Sequence, residues 1–148
     1  MNKESFCFAF AVNHAGEFQP KHFGDADRYL VYEWQNNELV YLKELINIYK
    51  AFDEEQEHGS HKKGNAIIEY LKNEGVKVLV SKQFGRNIRM VNRHFIPVII
   101  YKETPDEVIP VIKKNIKWIE DEFRKNPEEY KLFTFKSDVL KTIIKTNE

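Results

Sequence analysis

The chain has 148 residues, enough for one domain with a real core. Its 42% hydrophobic and 31% charged content describes a globular chain, and 23 basic residues against 23 acidic ones leave none of the basic excess expected of a general nucleic-acid binder. A single cysteine, Cys7, excludes an internal disulfide or a cysteine-rich metal site; with no signal-peptide pattern after Met1 and no apolar run of bilayer length, a cytoplasmic protein is expected.

Phe6 to Val12 is aromatic, small or β-branched throughout and carries no charge. That composition predicts a strand buried on both faces, as in a sheet covered by helices. Asn13 to Asp27 contains Gly16, Pro20 and Gly24 and reads as a loop. Arg28 to Trp34 and Leu39 to Leu45 read as two strands, joined through Gln35-Asn36-Asn37-Glu38 into an antiparallel hairpin. Phe52 to Gly64 reads as a second long loop, acidic at first and then rich in His and Gly. Ala66 to Asn73 has one apolar face and should be helical, with Gly75 as its stop. Val76 to Val80 is a short buried strand, Gln83 to Arg86 a turn around Gly85, Asn87 to His94 a short helix, and Ile96 to Tyr101 a further buried strand. Alternating strands and helices in such short units imply parallel pairing through right-handed crossovers.

Thr104-Pro105-Asp106-Glu107 combines a cap, a first-turn proline and a box-forming glutamate. Val108, Ile112, Ile116, Ile119 and Phe123 continue it as one helical stripe. Pro110 conflicts with that stripe, so either the first turn is irregular or the helix proper starts at Pro110. After Asn126-Pro127 the pattern weakens. Ser137 is placed to cap a terminal helix over Asp138 to Ile144, and residues 127–148 read as an accessory segment outside the central sheet, after a domain over 1–126. Trp34 and Trp118 are expected to pack on the sheet.

Ligands in α/β sheets of this kind sit beyond the carboxyl ends of the parallel strands. Three loops qualify. In Lys21-His22-Phe23-Gly24-Asp25 an imidazole lies beside a glycine that lets a metal or anion approach closely; the plain alternative is a loop histidine bonded to a carbonyl. His58-Gly59-Ser60-His61-Lys62 precedes a helix whose free N–H groups favour anions, while a solvated polar loop would look the same. Gln83-Phe84-Gly85-Arg86-Asn87 follows a buried strand and opens a helix; Arg86 could pair with an oxyanion, and the plain reading is a short turn with a surface arginine. Cys7, mid-strand, reads as a small core residue and not a nucleophile. There is no Gly-x-Ser-x-Gly elbow and no Walker loop. The core strands Phe6–Val12 and Val76–Val80 hold no carboxylates that could bind two metal ions, so a metal-dependent nuclease is disfavoured and no enzyme is expected.

Lys21 to Tyr32, His58-Gly59 through Asn65-Ala66-Ile67-Ile68-Glu69-Tyr70-Leu71 to Val78-Leu79-Val80, then Phe84-Gly85 and Ile96-Pro97-Val98, together resemble the dinitrogenase iron-molybdenum cofactor biosynthesis family, the NifX-type domain. The resemblance runs over roughly residues 5 to 120. It implies an α/β, ribonuclease H-like fold, here a mixed sheet of an antiparallel hairpin plus parallel βα units flanked by helices. It also implies a carrier for an anionic metal cluster, either an iron-molybdenum cofactor precursor or an iron-sulfur or molybdenum-containing cluster, delivered to a cofactor-accepting apo-protein. Neither nucleic acid nor membrane is an expected partner. The resemblance makes His22 of the His-Phe-Gly motif the metal-contacting residue. Phe23, Gly24, His58, Gly59, Gly85 and Arg86 complete the expected cofactor-binding set. The alternative is a regulatory or interaction domain that has kept the fold without the cluster.

Overall fold

The computed structural model describes residues 5–50, 62–85, 88–136 and 139–143. Its elements in chain order are β1 (Cys7–Val12), a 3-10 turn (Phe23–Asp25), β2 (Arg28–Gln35), β3 (Glu38–Ile46), α1 (Lys62–Asn73), β4 (Val76–Ser81), α2 (Ile88–Val91), β5 (Ile96–Ile99), α3 (Pro105–Lys114), α4 (Ile116–Lys125), β6 (Leu132–Lys136) and β7 (Val139–Ile143). The strands form one seven-stranded sheet in the order β3-β2-β1-β4-β5-β6-β7. β1 pairs antiparallel with β2 and parallel with β4, β5 lies parallel between β4 and β6, and β7 returns antiparallel. The mixed sheet expected from the sequence is present, with two strands more than the five read there.

β1 decides the layering. All six of its residues are buried. The period of two sends Phe8, Phe10 and Val12 to one face and Cys7, Ala9 and Ala11 to the other. The large face packs under α3 and α4, with Val108, Val111, Ile112 and Ile119. The small face receives Phe23, Ile67, Ile68, Leu71 and Val91 from the 3-10 turn, α1 and α2. Small strand residues leave room for bulky helix residues, and large ones fill the gap opposite. The β2–β3 hairpin turns on Asn36 and Asn37, both at positive φ (52° and 65°), the geometry of a type I′ turn and the backbone that asparagine tolerates.

Three expectations need correction. The helical stripe from Val108 to Phe123 is two helices. The Thr104 capping box forms as read, and α3 starts at Pro105 and runs through Pro110, neither irregular at its first turn nor delayed. The break falls at Asn115, whose side-chain Nδ2 donates to the Val111 carbonyl at 2.8 Å, a local bond that competes with continuation of the helix. The C-terminal segment is in the sheet, not outside it: β6 pairs with β5, Phe133 and Phe135 are buried in the main core, and the part of Asp138–Ile144 that is described is strand, not helix. Trp118 is exposed, whereas Trp34 packs against the core as expected.

Candidate functional site

The C-terminal ends of β1 and β4 share one edge of the molecule, and the chain leaving each turns back over that edge. After β1 the chain descends to His22 and makes the 3-10 turn Phe23–Asp25. After β4 it passes Gln83 to Gly85. His22 and Gln83 form a parallel bridge, and the Phe23 amide donates to the Gln83 carbonyl at 3.0 Å. The two loops read separately in the sequence are thus one surface.

His22 is exposed at its crest. Its imidazole lies against the Cα of Gly85: a Cβ there would sit 2.6 Å from both Cε1 and Nε2 of the ring. Gly85 also has φ +61°, a backbone that side chains other than glycine adopt only under strain. Glycine at 85 therefore gives the ring its resting place. Phe23 and Gly24, read as ligand-contacting, are buried. The Phe23 ring packs 5.8 Å from Phe84, and a Cβ on Gly24 would meet Ile67 Cδ1 at 3.4 Å. Those two residues seat the turn on the core and on α1, leaving His22 as the motif's outward group.

The turn is pinned from beneath. The buried Tyr29 hydroxyl donates to the Phe23 carbonyl at 2.6 Å, and burial pushes that phenol far above its ordinary range. Buried Asn47, just past β3, donates to the carbonyls of Gly24 at 2.9 Å and Ala26 at 2.8 Å. Lys63 in the first turn of α1 is buried and pairs with Asp25 at 2.7 Å, so its charge is committed to the turn and not to a ligand. Asp27 receives the Lys50 ammonium and the His14 amide, the latter at 3.0 Å; the Lys50 hydrogen bond is the main reason its carboxyl lies below the usual carboxylate range. Asn47 was missed because it acts on carbonyls more than 20 residues earlier. Nothing local in the sequence signals such a bond.

His58, Gly59 and Arg86 lie outside the described residues. Among the described residues no group of three His, Cys, Asp or Glu side chains could enclose a metal ion. Among the described residues the crest offers one imidazole, His22, with exposed Lys21 beside it.

A family model described as dinitrogenase iron-molybdenum cofactor matches residues 4–121. The chain belongs to that family. No curated protein matches it. The matched stretch takes in both loops of the crest and α1 beneath them, and ends within α4. Family membership ties the chain to binding or biosynthesis of the iron-molybdenum cofactor. The last turn of α4, β6 and β7 lie beyond the match. No helix among the described residues is long and apolar enough to cross a membrane.

Proposed function

We propose that the chain is a non-catalytic cytoplasmic carrier that holds an anionic metal cluster, an iron-molybdenum cofactor precursor or a related iron-sulfur or molybdenum cluster, on His22 and passes it to an apo-protein. The observation that carries this reading is the exposed imidazole resting on Gly85, at the edge where α/β sheets bind ligands. A neutral imidazole nitrogen is a good donor to iron or molybdenum. A cluster held by so few protein donors can leave again, as delivery requires. Lys21 supplies positive charge beside it, and His58 and Arg86 are proposed as second contacts. We class the fold as ribonuclease H-like on the strand order β3-β2-β1-β4-β5 with β1 antiparallel to β2 and parallel to β4.

The test is anaerobic titration of apo-protein with iron-sulfur and iron-molybdenum clusters, followed by absorbance and gel filtration. Wild type should co-elute with cluster, and His22→Ala should weaken retention about tenfold or more while the far-UV spectrum is unchanged. Equal affinity in the two proteins removes His22 from the site. If neither protein retains any cluster, the regulatory-domain reading replaces the carrier.

A further inference from the structure

β3 is an end strand of the sheet: β2 pairs with one side of it, and no described residue pairs with the other. Val40, Tyr41 and Leu42 follow one another along it and are 39%, 51% and 44% exposed. No other three consecutive large hydrophobic residues are exposed among the described residues. Such a run on an open strand is an aggregation hazard unless something covers it. The usual guards are missing or already engaged. The strand has no proline, and its one lysine, Lys43, is tied to Glu74 just past α1. Its carboxylates are also met within the chain, Glu44 by Arg28 and Glu38 by Lys113 at 3.8 Å. Leu42 has no opposite number in β2, and this bulge ends the regular edge, leaving Glu38–Leu42 open.

The β2–β3 turn fixes which backbone groups face outward. In a two-residue hairpin the residues flanking the loop, Gln35 and Glu38, form a hydrogen-bonded pair, and pairs alternate from there. Glu38 and Val40 therefore bond to β2, while Leu39 and Tyr41 turn their N–H and C=O groups to the open side. No described residue hydrogen-bonds to them there. The Tyr41 ring is already set, edge-on to Tyr32 at 5.5 Å. A second copy of the same strand fits this pattern. With two antiparallel copies related by a two-fold axis through Val40, Leu39 of each lies opposite Tyr41 of the other, and each such pair exchanges both of its N–H···O bonds. Val40 then faces Val40, and Glu38 faces Leu42. An axis through Tyr41 would set Glu38 directly against Glu44, a repulsive pair. An axis through Leu39 would set the Asn36-Asn37 turn against Tyr41 and Leu42. Only the axis through Val40 satisfies both the backbone and the side chains.

We propose that the Glu38–Leu42 edge of β3 pairs with the same edge of a second copy of this chain, antiparallel about Val40, to give a reversible homodimer with one continuous sheet. The charges on the strand are met within each chain, so the contact is made by backbone hydrogen bonds and apolar side chains. So short a contact falls below the roughly 800 Å2 per partner of standard-size interfaces, and the dimer should dissociate with a Kd on the order of 10–100 µM. Cys7 pairs with Glu33, and Glu33 with Val40, so this edge lies level with the start of β1, away from the His22 crest beyond its end. Dimerisation therefore leaves the crest uncovered and does not depend on the cluster reading.

The experiment is sedimentation velocity of the full chain from about 5 to about 500 µM, with a cysteine cross-link to fix the register. Wild type should pass reversibly from monomer to dimer and form nothing larger. Val40→Lys sets two ammonium groups face to face across the axis and should weaken the dimer about tenfold or more, with the urea transition still cooperative. Should that variant lose its transition, Leu42→Lys, at the bulge, replaces it and should weaken the dimer too. Trp118→Lys, which removes an exposed hydrophobic residue from α4, should leave the dimer unchanged. Val40→Cys should close an intermolecular disulfide on mild oxidation, because opposite residues of a non-hydrogen-bonded pair bring their Cα atoms to about 4.5 Å. Glu38→Cys should not, since residue 38 faces Leu42. The proposal is overturned if wild type stays monomeric throughout, if it grows past a dimer, if the lysine variants dimerise like wild type, if Trp118→Lys weakens the dimer as much, or if Glu38→Cys cross-links as readily as Val40→Cys.

Discussion

A methyl group at position 85 would have to lie 2.6 Å from two ring atoms of His22, on a backbone at φ +61°. Both conflicts point the same way. Gly85→Ala should cost about 1–2 kcal/mol in stability from the left-handed backbone alone, and it should also drive the imidazole off its seat. Cluster retention should therefore fall in Gly85→Ala nearly as far as in His22→Ala, although residue 85 donates nothing to a metal; retention at the wild-type level would show that ring position does not matter. Cys7 makes the contrasting case. Burial raises its thiol above the ordinary range, with Ser5 opposing through a hydrogen bond. It should resist an aromatic disulfide reagent at pH 8 until urea unfolds the chain, and fast labelling of the native protein would contradict its place in β1. Of the candidate site, the exposed His22 and the positive-φ Gly85 were legible as local patterns, an imidazole beside glycine and a strand-to-helix glycine. The inward roles of Phe23 and Gly24 were not legible, since the same His-Phe-Gly letters suit a ligand loop or a packed turn. The packing of that turn depends on α1 and Phe84, which are distant in sequence.

Most elements could be read because their signals are short-range. The β2–β3 hairpin rests on two consecutive asparagines, and α3 rests on a capping box closed by Glu107 Oε1 accepting from the Thr104 amide at 2.9 Å. The α3–α4 break was hidden because Ile116, Ile119 and Phe123 stay in phase with Val108 and Ile112 across Asn115, so periodicity alone sees one helix. Pro110 drew attention to itself as the point of conflict, but it sits on the exposed side of α3, where its ring meets solvent. The helix tolerates the lost Pro110–Asp106 hydrogen bond because Val108, Val111 and Ile112 are buried against the sheet around it. Pro110→Ala restores that bond and removes no packing. It should stabilise the protein by about 1 kcal/mol or more, less than the full ~3 kcal/mol helix penalty because the unfolded chain also gains freedom, and raise Tm by about 2–4 °C. A lowered Tm would mean that the proline's rigidity outweighs the missing hydrogen bond.

On the scale of the whole molecule, the C-terminal segment changes what the family unit is. The family match ends at residue 121, and the weak patterning after Pro127 suggested a dispensable tail. The sheet says otherwise, because β6 covers the flank of β5 and buries Phe133 and Phe135 with Val98 and Ile112 in the same core. A five-residue strand bounded by lysines gives little periodicity to read, and its parallel partner lies more than 30 residues earlier in the chain. The same segment supplies Tyr130, whose amide donates to the Asn92 carbonyl at 2.8 Å, so its loss would remove that tie as well as a strand. Truncation of a buried phenylalanine to alanine costs about 3–5 kcal/mol, whereas whole domains are stable by only about 5–15 kcal/mol. Phe133→Ala should therefore shift the urea midpoint by a large fraction of its value with the slope unchanged. Removal of everything after Asn126 takes both phenylalanines and leaves β5 as an open edge. That truncated chain should lose its near-UV circular dichroism and its cooperative urea transition while keeping helical signal in the far-UV. A sharp transition in the truncated chain would show that residues 1–126 fold alone and that β6 and β7 only extend a finished sheet.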